Sequence, residues 1–284
     1  MVQLTRISEA FCNNVMTHVY DGAALVQREA KISWSELVKE YKWPTTKTSP
    51  NPEETIEAVT RIEMPLRPIF EKIKAGQQLE AKEVEKLPEF AREVMHWGKV
   101  EHPANLEKAE NPQNTYDVIK SGLDWCIIHK DVPMNSAWTK IVAISSEFLE
   151  ETGVDPHAIY DSRVAASMCT RLDQILSESR HSTGNRPAHY LPTNINGLGQ
   201  LKTGRGGTRK EGRNYAFDWP IKQKNTSGTK SLWNAQFACT RLCNALKKEL
   251  NANLGKYGKM PYSRVGNGTW TTRGVEMCLF MDGY

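Results

Sequence analysis

Residues 156–176 read PHAIYDSRVAASMCTRLDQIL and set an aspartate, Asp161, at the start of an apolar-striped helix. A carboxylate in that position accepts the first free backbone amides, and the helix dipole favours its ionised form. The same placement makes Asp an ordinary N-cap, so position alone leaves a capping and a chemical role open. Arg163, two residues on, has the reach to touch a phosphate or to fix Asp161; as a surface salt bridge it would contribute little. Lys140 lies 21 residues before Asp161 on an earlier helical stretch, where it reads as an exposed helix lysine or a phosphate contact. His181, His189 and Tyr190 follow the Asp161 helix and are candidates to line a pocket, or ordinary loop residues. Trp219, within the run Tyr215-Ala-Phe-Asp-Trp219-Pro, is the best placed tryptophan to stack on a base. Trp125 and Trp138 fit a core more readily, although Trp138 is also a candidate to line the pocket.

Several chemistries have no support. The chain contains no GxxxxGK[ST], no GxGxxG after a strand, no HExxH and no GxSxG, which removes the usual phosphate-loop, dinucleotide, zinc-protease and serine-hydrolase signatures. Its six cysteines include no CxxC pair, so neither a disulfide framework nor a four-cysteine metal site is expected, and a reducing cytoplasm fits best. Cys239 and Cys243, one helical turn apart, read as small buried apolar residues. No metal ligand set and no cofactor site are expected.

The elements that must position these residues are mostly helical. Apolar residues from Ile56 to Ile69 share one side of a helix over 52–74, stopped by Gly76. Residues 80–98 form a further helix, split at Pro88, and a polar connector with Pro103 and Pro112 follows. Three clearer helices run from Asn114 to His129, from Asn135 to Glu151 with Gly153 as its close, and from Asp161 to Ser177. Residues 180–230 read as a long loop ordered on binding a partner. A last helix spans about Ser231 to Leu250. The Gly266-Asn267-Gly268 turn between YSRV and TWTTRGVEMCLFM reads as a β-hairpin. The fold class is therefore mostly α with a small C-terminal β-hairpin.

Charge divides the chain. Of its 284 residues, 1–178 carry 28 acidic and 20 basic side chains, whereas 179–284 carry 17 basic and 5 acidic. Lys202, Arg205, Arg209, Lys210, Arg213, Lys222 and Lys224 fall in the basic loop. Such a stretch suits a polyanion, and nucleic acid is the natural partner. No apolar run approaches the length of a membrane span, no signal-peptide core opens the chain, and no obligate protein partner is inferred.

The stretch Ile159-Tyr160-Asp161-Ser162-Arg163-Val164, continued by a helix reaching Arg171-Leu172, resembles the signature of the helix-hairpin-helix DNA glycosylases. The helix around Trp138-Thr139-Lys140-Ile141-Val142-Ala143 holds the place of the apolar helix that precedes the essential aspartate in that family. The resemblance covers about residues 115–178. It departs at the hairpin, where Val132-Pro133-Met134-Asn135-Ser136-Ala137 replaces a glycine-rich turn, and no iron–sulfur cysteine set follows. The resemblance implies that Asp161 is the catalytic carboxylate and that DNA is the partner. It also implies that a flipped base enters a pocket and that Lys140 stands near the position of a Schiff-base lysine. The family acts on oxidised, alkylated and mismatched bases, and includes anti-phage activity on glucosylated hydroxymethylcytosine. A bulky modified base suits the large N-terminal region. The expected organisation is an N-terminal helical region over 1–112, a helix-hairpin-helix-like catalytic core over 113–178, and a basic DNA-binding part over 179–284. The expected activity is hydrolysis of an N-glycosidic bond with water as nucleophile. A non-enzymatic nucleic-acid-binding module with a basic arm is the alternative.

Overall fold

The computed structural model describes residues 33–43, 51–169 and 229–283, with side chains from 232 in the last segment. Among these residues the chain is helical and no strand occurs. Ser33 caps α1 (Trp34–Lys39) in a reciprocal capping box with Glu36. Asn51 caps α2 (Pro52–Glu63), which passes through a 3-10 turn at Met64–Leu66 into α3 (Arg67–Lys74). The single helix expected over 52–74 is thus broken, because Pro65 and Pro68 each remove a backbone donor. The split at Pro88 appears as α4 (Ala81–Val84) and α5 (Leu87–Trp97), with the proline in the first turn of α5.

Two sequence expectations are corrected here. The polar connector over 103–112 is a helix, α6 (Pro103–Glu110), and Pro112 opens the next one, α7 (Pro112–Leu123). Both prolines stand where a helix does not need the missing N–H, so they start helices instead of ending them. The C-terminal β-hairpin is absent from the described residues: Thr272–Asp282 is helical. Thr271 caps it through its hydroxyl, and Val275, Met277, Cys278, Leu279 and Phe280 are all buried. A short run that is apolar on every side is ambiguous between strand and helix by pattern alone, and the cap together with enclosure on all faces decides for helix.

The helix expected over 135–151 is α8 (Trp138–Ser145) followed by a 3-10 turn at Glu147–Thr152, and Gly153 closes it with a left-handed φ of 75°. The helix after Asp161, α9, is described from 162 to 169. Beyond the basic segment come α10 (Thr229–Ala252), the single turn α11 (Leu254–Tyr257) and α12 (Thr272–Asp282).

Two apolar clusters hold the helices. One joins α2, α3, α5, α7 and α8 around Val59, Phe70, Phe90, Ile119, Trp138 and Ile141. The other joins α1, α9, α10 and α12 around Leu37, Tyr160, Val164, Leu242 and Cys278. α10 belongs to both: Trp233 and Phe237 enter the first, and Cys239 and Cys243 are buried in the second. No described helix is long and apolar enough to cross a membrane.

Candidate active site

Asp161 stands where a buried, non-helical strap ends and α9 begins. Its Oδ1 accepts from the amides of Arg163 at 2.9 Å and Val164 at 3.0 Å, so it is the N-cap of α9. The residue is 9% exposed.

The strap, residues 156–161, is buried without regular structure. Buried backbone groups must be paired, and here side chains from surrounding helices pair them. Asn244 donates to the Pro156 carbonyl at 3.2 Å, and Ser146 Oγ accepts from His157 N at 2.8 Å. Thr240 Oγ1 accepts from Ala158 N, and Gln236 donates to the Ala158 carbonyl at 2.7 Å. Glu276 Oε2 accepts from Ile159 N at 2.6 Å. Thr139 Oγ1 donates to the Tyr160 carbonyl at 3.1 Å, which ties the first turn of α8 to the residue before Asp161.

That last bond brings the helix carrying Lys140 beside Asp161. Lys140 is 1% exposed, and its Nζ donates to the Ser136 carbonyl at 3.0 Å and lies 5.4 Å from the centre of the Trp43 ring. The expected exposed helix lysine is therefore an enclosed one. A side chain on Gly98 would meet Lys140 Cδ at 2.5 Å, so that glycine clears space for the lysine stem. Burial holds the Lys140 amine below the ordinary lysine value, against the pull of Asp161 and Glu276.

Further charges stand behind the strap. Arg273 bonds Glu276 on its own helix and Glu147 at 3.0 Å. Arg273 and Glu276 are each 3% exposed and Glu147 is 6% exposed. Burial raises the Glu276 carboxyl to about 7, although Arg273 and the Ile159 amide pull it down. Burial opposes the Arg273 charge, yet Glu147 and Glu276 hold the guanidinium above its usual value. Tyr41, also buried, has its hydroxyl pushed well up by desolvation and by Glu276. His157 donates through Nε2 to the Gly122 carbonyl at 2.8 Å, and its ring packs tilted against Trp125 with the centres 4.3 Å apart. Burial lowers its ring to about 4, so it is neutral at pH 7.

Arg163 is half-buried, with its guanidinium 4.5 Å from the centre of the Phe280 ring. Trp43 and Tyr41 also pack edge-on to Phe280, so Arg163 and Lys140 both rest on one aromatic cluster. Trp138 is a core residue with no exposed surface and offers no face to a base. The amides of Ala137 and Trp138, at the start of α8, are taken by Asn135 Oδ1 at 2.8 and 3.3 Å. The segment before α8 therefore does not present those amides to a phosphate. Lys202, Arg205, Arg209, Lys210, Arg213, Lys222, Lys224, His181, His189, Tyr190 and Trp219 lie outside the described residues. No group of three or more potential metal ligands occurs among the described residues.

Sequence reasoning missed Glu147, Arg273, Glu276 and Tyr41. One signal was available: Arg273 and Glu276 stand at i and i+3, and a glutamate inside the apolar run Val275-Glu-Met-Cys-Leu-Phe280 requires a partner. Comparison with known proteins adds nothing to this geometry, since no family, curated protein or solved structure matches the chain.

Proposed function

We propose that the protein is a DNA glycosylase of divergent helix-hairpin-helix type that hydrolyses the N-glycosidic bond of a flipped, modified base and leaves an abasic site. One observation carries the reading: a carboxylate fixed at a helix N-terminus by a strap whose main-chain groups are held by side chains of three helices, α8, α10 and α12, and of Ser146 just after α8. Cleavage of this bond builds positive charge on the sugar, and a carboxylate positioned in advance stabilises it and orients the attacking water. Lys140 supports water over an amine as nucleophile, because its Nζ is enclosed and engaged with Ser136. The enzyme is thus monofunctional, works in the cytoplasm, and needs neither metal nor cofactor. The basic segment grips phosphates, and a glucosylated hydroxymethylcytosine in phage DNA is the leading substrate. The burial of Asp161 and Lys140 favours one rival, a non-enzymatic nucleic-acid-binding module.

Asp161→Asn separates the two. Asparagine caps a helix as well as aspartate does, so folding survives the change. Wild type and variant are incubated with DNA from phages of different base chemistry and with damaged duplexes, and released bases are read by mass spectrometry. The expected result is base release by the wild type, slowed about 100-fold or more by the variant, with DNA affinity within about threefold. Release at an unchanged rate by the variant overturns the mechanism, and no release from any DNA leaves the binding module.

A further inference from the structure

Of the side-chain hydrogen bonds to the strap's backbone described above, those from Asn244, Ser146, Thr240, Gln236 and Thr139 use neutral hydroxyl or amide groups. The exception is Ile159 N, which donates to the carboxylate of Glu276 at 2.6 Å. A glutamine would accept the same hydrogen bond without charge. A buried carboxylate instead requires a buried cation, and Arg273 in turn takes a second carboxylate, Glu147. Three charges are thus withdrawn from water around one N–H, at a desolvation cost that ion pairing rarely recovers in full. Such an arrangement makes sense where the charge itself is used.

We propose that Glu276 is a positioning residue for Asp161: its carboxylate, clamped by Arg273, fixes the strap two residues ahead of the α9 cap and releases it on protonation. This rests on Asp161 being the catalytic carboxylate. The groups that face Glu276 are Arg273 on its own helix, Glu147 on the 3-10 turn, Asp161 on the strap, Lys140 on α8, Cys239 on α10 and Tyr41 after α1. Burial, with Glu147 and Asp161 adding to it, puts the titration of Glu276 at about 7. A neutral carboxyl is a weaker acceptor than a carboxylate, and it no longer pairs with Arg273. The Ile159 bond therefore loosens as the pH falls through neutrality.

Two readouts on the full chain test this. The first is amide hydrogen exchange, corrected for the intrinsic pH dependence. In the wild type, protection of Ile159, Arg163 and Val164 should fall about tenfold from pH 8 to pH 6, while Leu242 within α10 keeps its protection. Glu276→Gln should remove that pH dependence. Glu276→Ala should lower protection at all three positions at pH 8. A pH dependence retained by Glu276→Gln, or none in the wild type, overturns the proposal even if Glu276→Ala does not fold. The second readout is single-turnover base release from the DNA that the wild type cleaves. Its rate should carry an acid limb near neutral pH that Glu276→Gln abolishes, with DNA affinity unchanged. If the exchange result holds and no DNA is cleaved, the glycosylase reading fails and the control of the strap by Glu276 stands. If DNA is cleaved and the exchange is insensitive to pH, the reverse is true.

Discussion

At the corner beyond α2, Arg67 and Arg264 share Glu63 and Glu151, and 39% of the Glu151 side chain is exposed. Behind the strap, Arg273 shares Glu147 and Glu276, and 2% of the Arg273 side chain is exposed. Both clusters use the same two residue types at bonding distance. In the corner, two arginines balance two glutamates, and although Glu63 is enclosed, Glu151 and Arg67 reach water, so the cluster is a charge-balanced staple between α2–α3, the 3-10 turn after α8 and the loop before α12. Behind the strap, one arginine faces two carboxylates with little solvent. Burial there moves the titration of Glu276 into the neutral range and binds the charges to a particular backbone amide. Equal chemistry gives attachment in one place and a titratable clamp in the other, and the dielectric surroundings decide which.

The largest effect that would test this contrast is Arg273→Met, which leaves Glu147 and Glu276 buried without their cation. Urea unfolding at pH 7 should register a loss of about 3–5 kcal/mol. A loss below 1 kcal/mol would mean that the interior cluster is no different from the corner.

A second effect concerns pH. His157 titrates at about 4 in the fold against an ordinary 6.5, so its contribution is present above 6.5 and is lost as the pH falls towards 4. Glu276 titrates at about 7 against an ordinary 4.5, so for global unfolding, which returns the carboxyl to water, its contribution has the opposite sign: stability is greatest below 4.5 and is lost as the pH rises to about 7. Release of the strap is a separate step, in which Glu276 stays enclosed and loses only the Ile159 amide that holds its proton affinity down, so that step alone is favoured by a fall in pH. For global unfolding between 4.5 and 6.5 the histidine and the glutamate offset one another, and the wild type should show a flat stability there. Glu276→Gln exposes the histidine alone, and stability should then rise with pH by about 2–3 kcal/mol across that window. His157→Gln should give a fall of similar size. Denaturant midpoints at pH 5 and pH 7 check both, and parallel curves for all three proteins would refute the assignment.

The smallest effect is expected in the corner. Arg264→Met leaves Glu63 paired with Arg67 and should cost about 1 kcal/mol, less in 1 M salt. A cost as large as that of Arg273→Met, or one insensitive to salt, would erase the distinction between the clusters.

Much of the helical framework could be read from spacing. The stripe before Cys169 placed α9, and Gly153 and Gly76 closed their helices with left-handed φ of 75° and 70°. The ends were less legible, because Pro103 and Pro112 start helices as well as they stop them. The C-terminal helix was missed for a related reason. The Gly266-Asn267-Gly268 turn is real, with φ of 78°, 55° and 72°, yet a turn of that kind does not require strands on both sides. At the candidate site, Asp161 at a helix start was legible, since N-capping is a local interaction. The enclosure of Lys140 was not, because it depends on Trp43 and on the missing side chain of Gly98, both more than 40 residues away.

The sequence by itself determined the helical class, the cap at Asp161, the division of charge between the two parts of the chain, and the resemblance on which the glycosylase reading began. These rest on neighbours within a turn or two, or on composition. The tertiary structure alone decided that Lys140, Glu147, Arg273 and Glu276 surround the strap. Ile159 and Glu276 are 117 residues apart and share one hydrogen bond. No local pattern fixes such a pairing, because it follows from how the apolar faces of α8, α10 and α12 pack and from the need to pair the strap's buried main-chain amides.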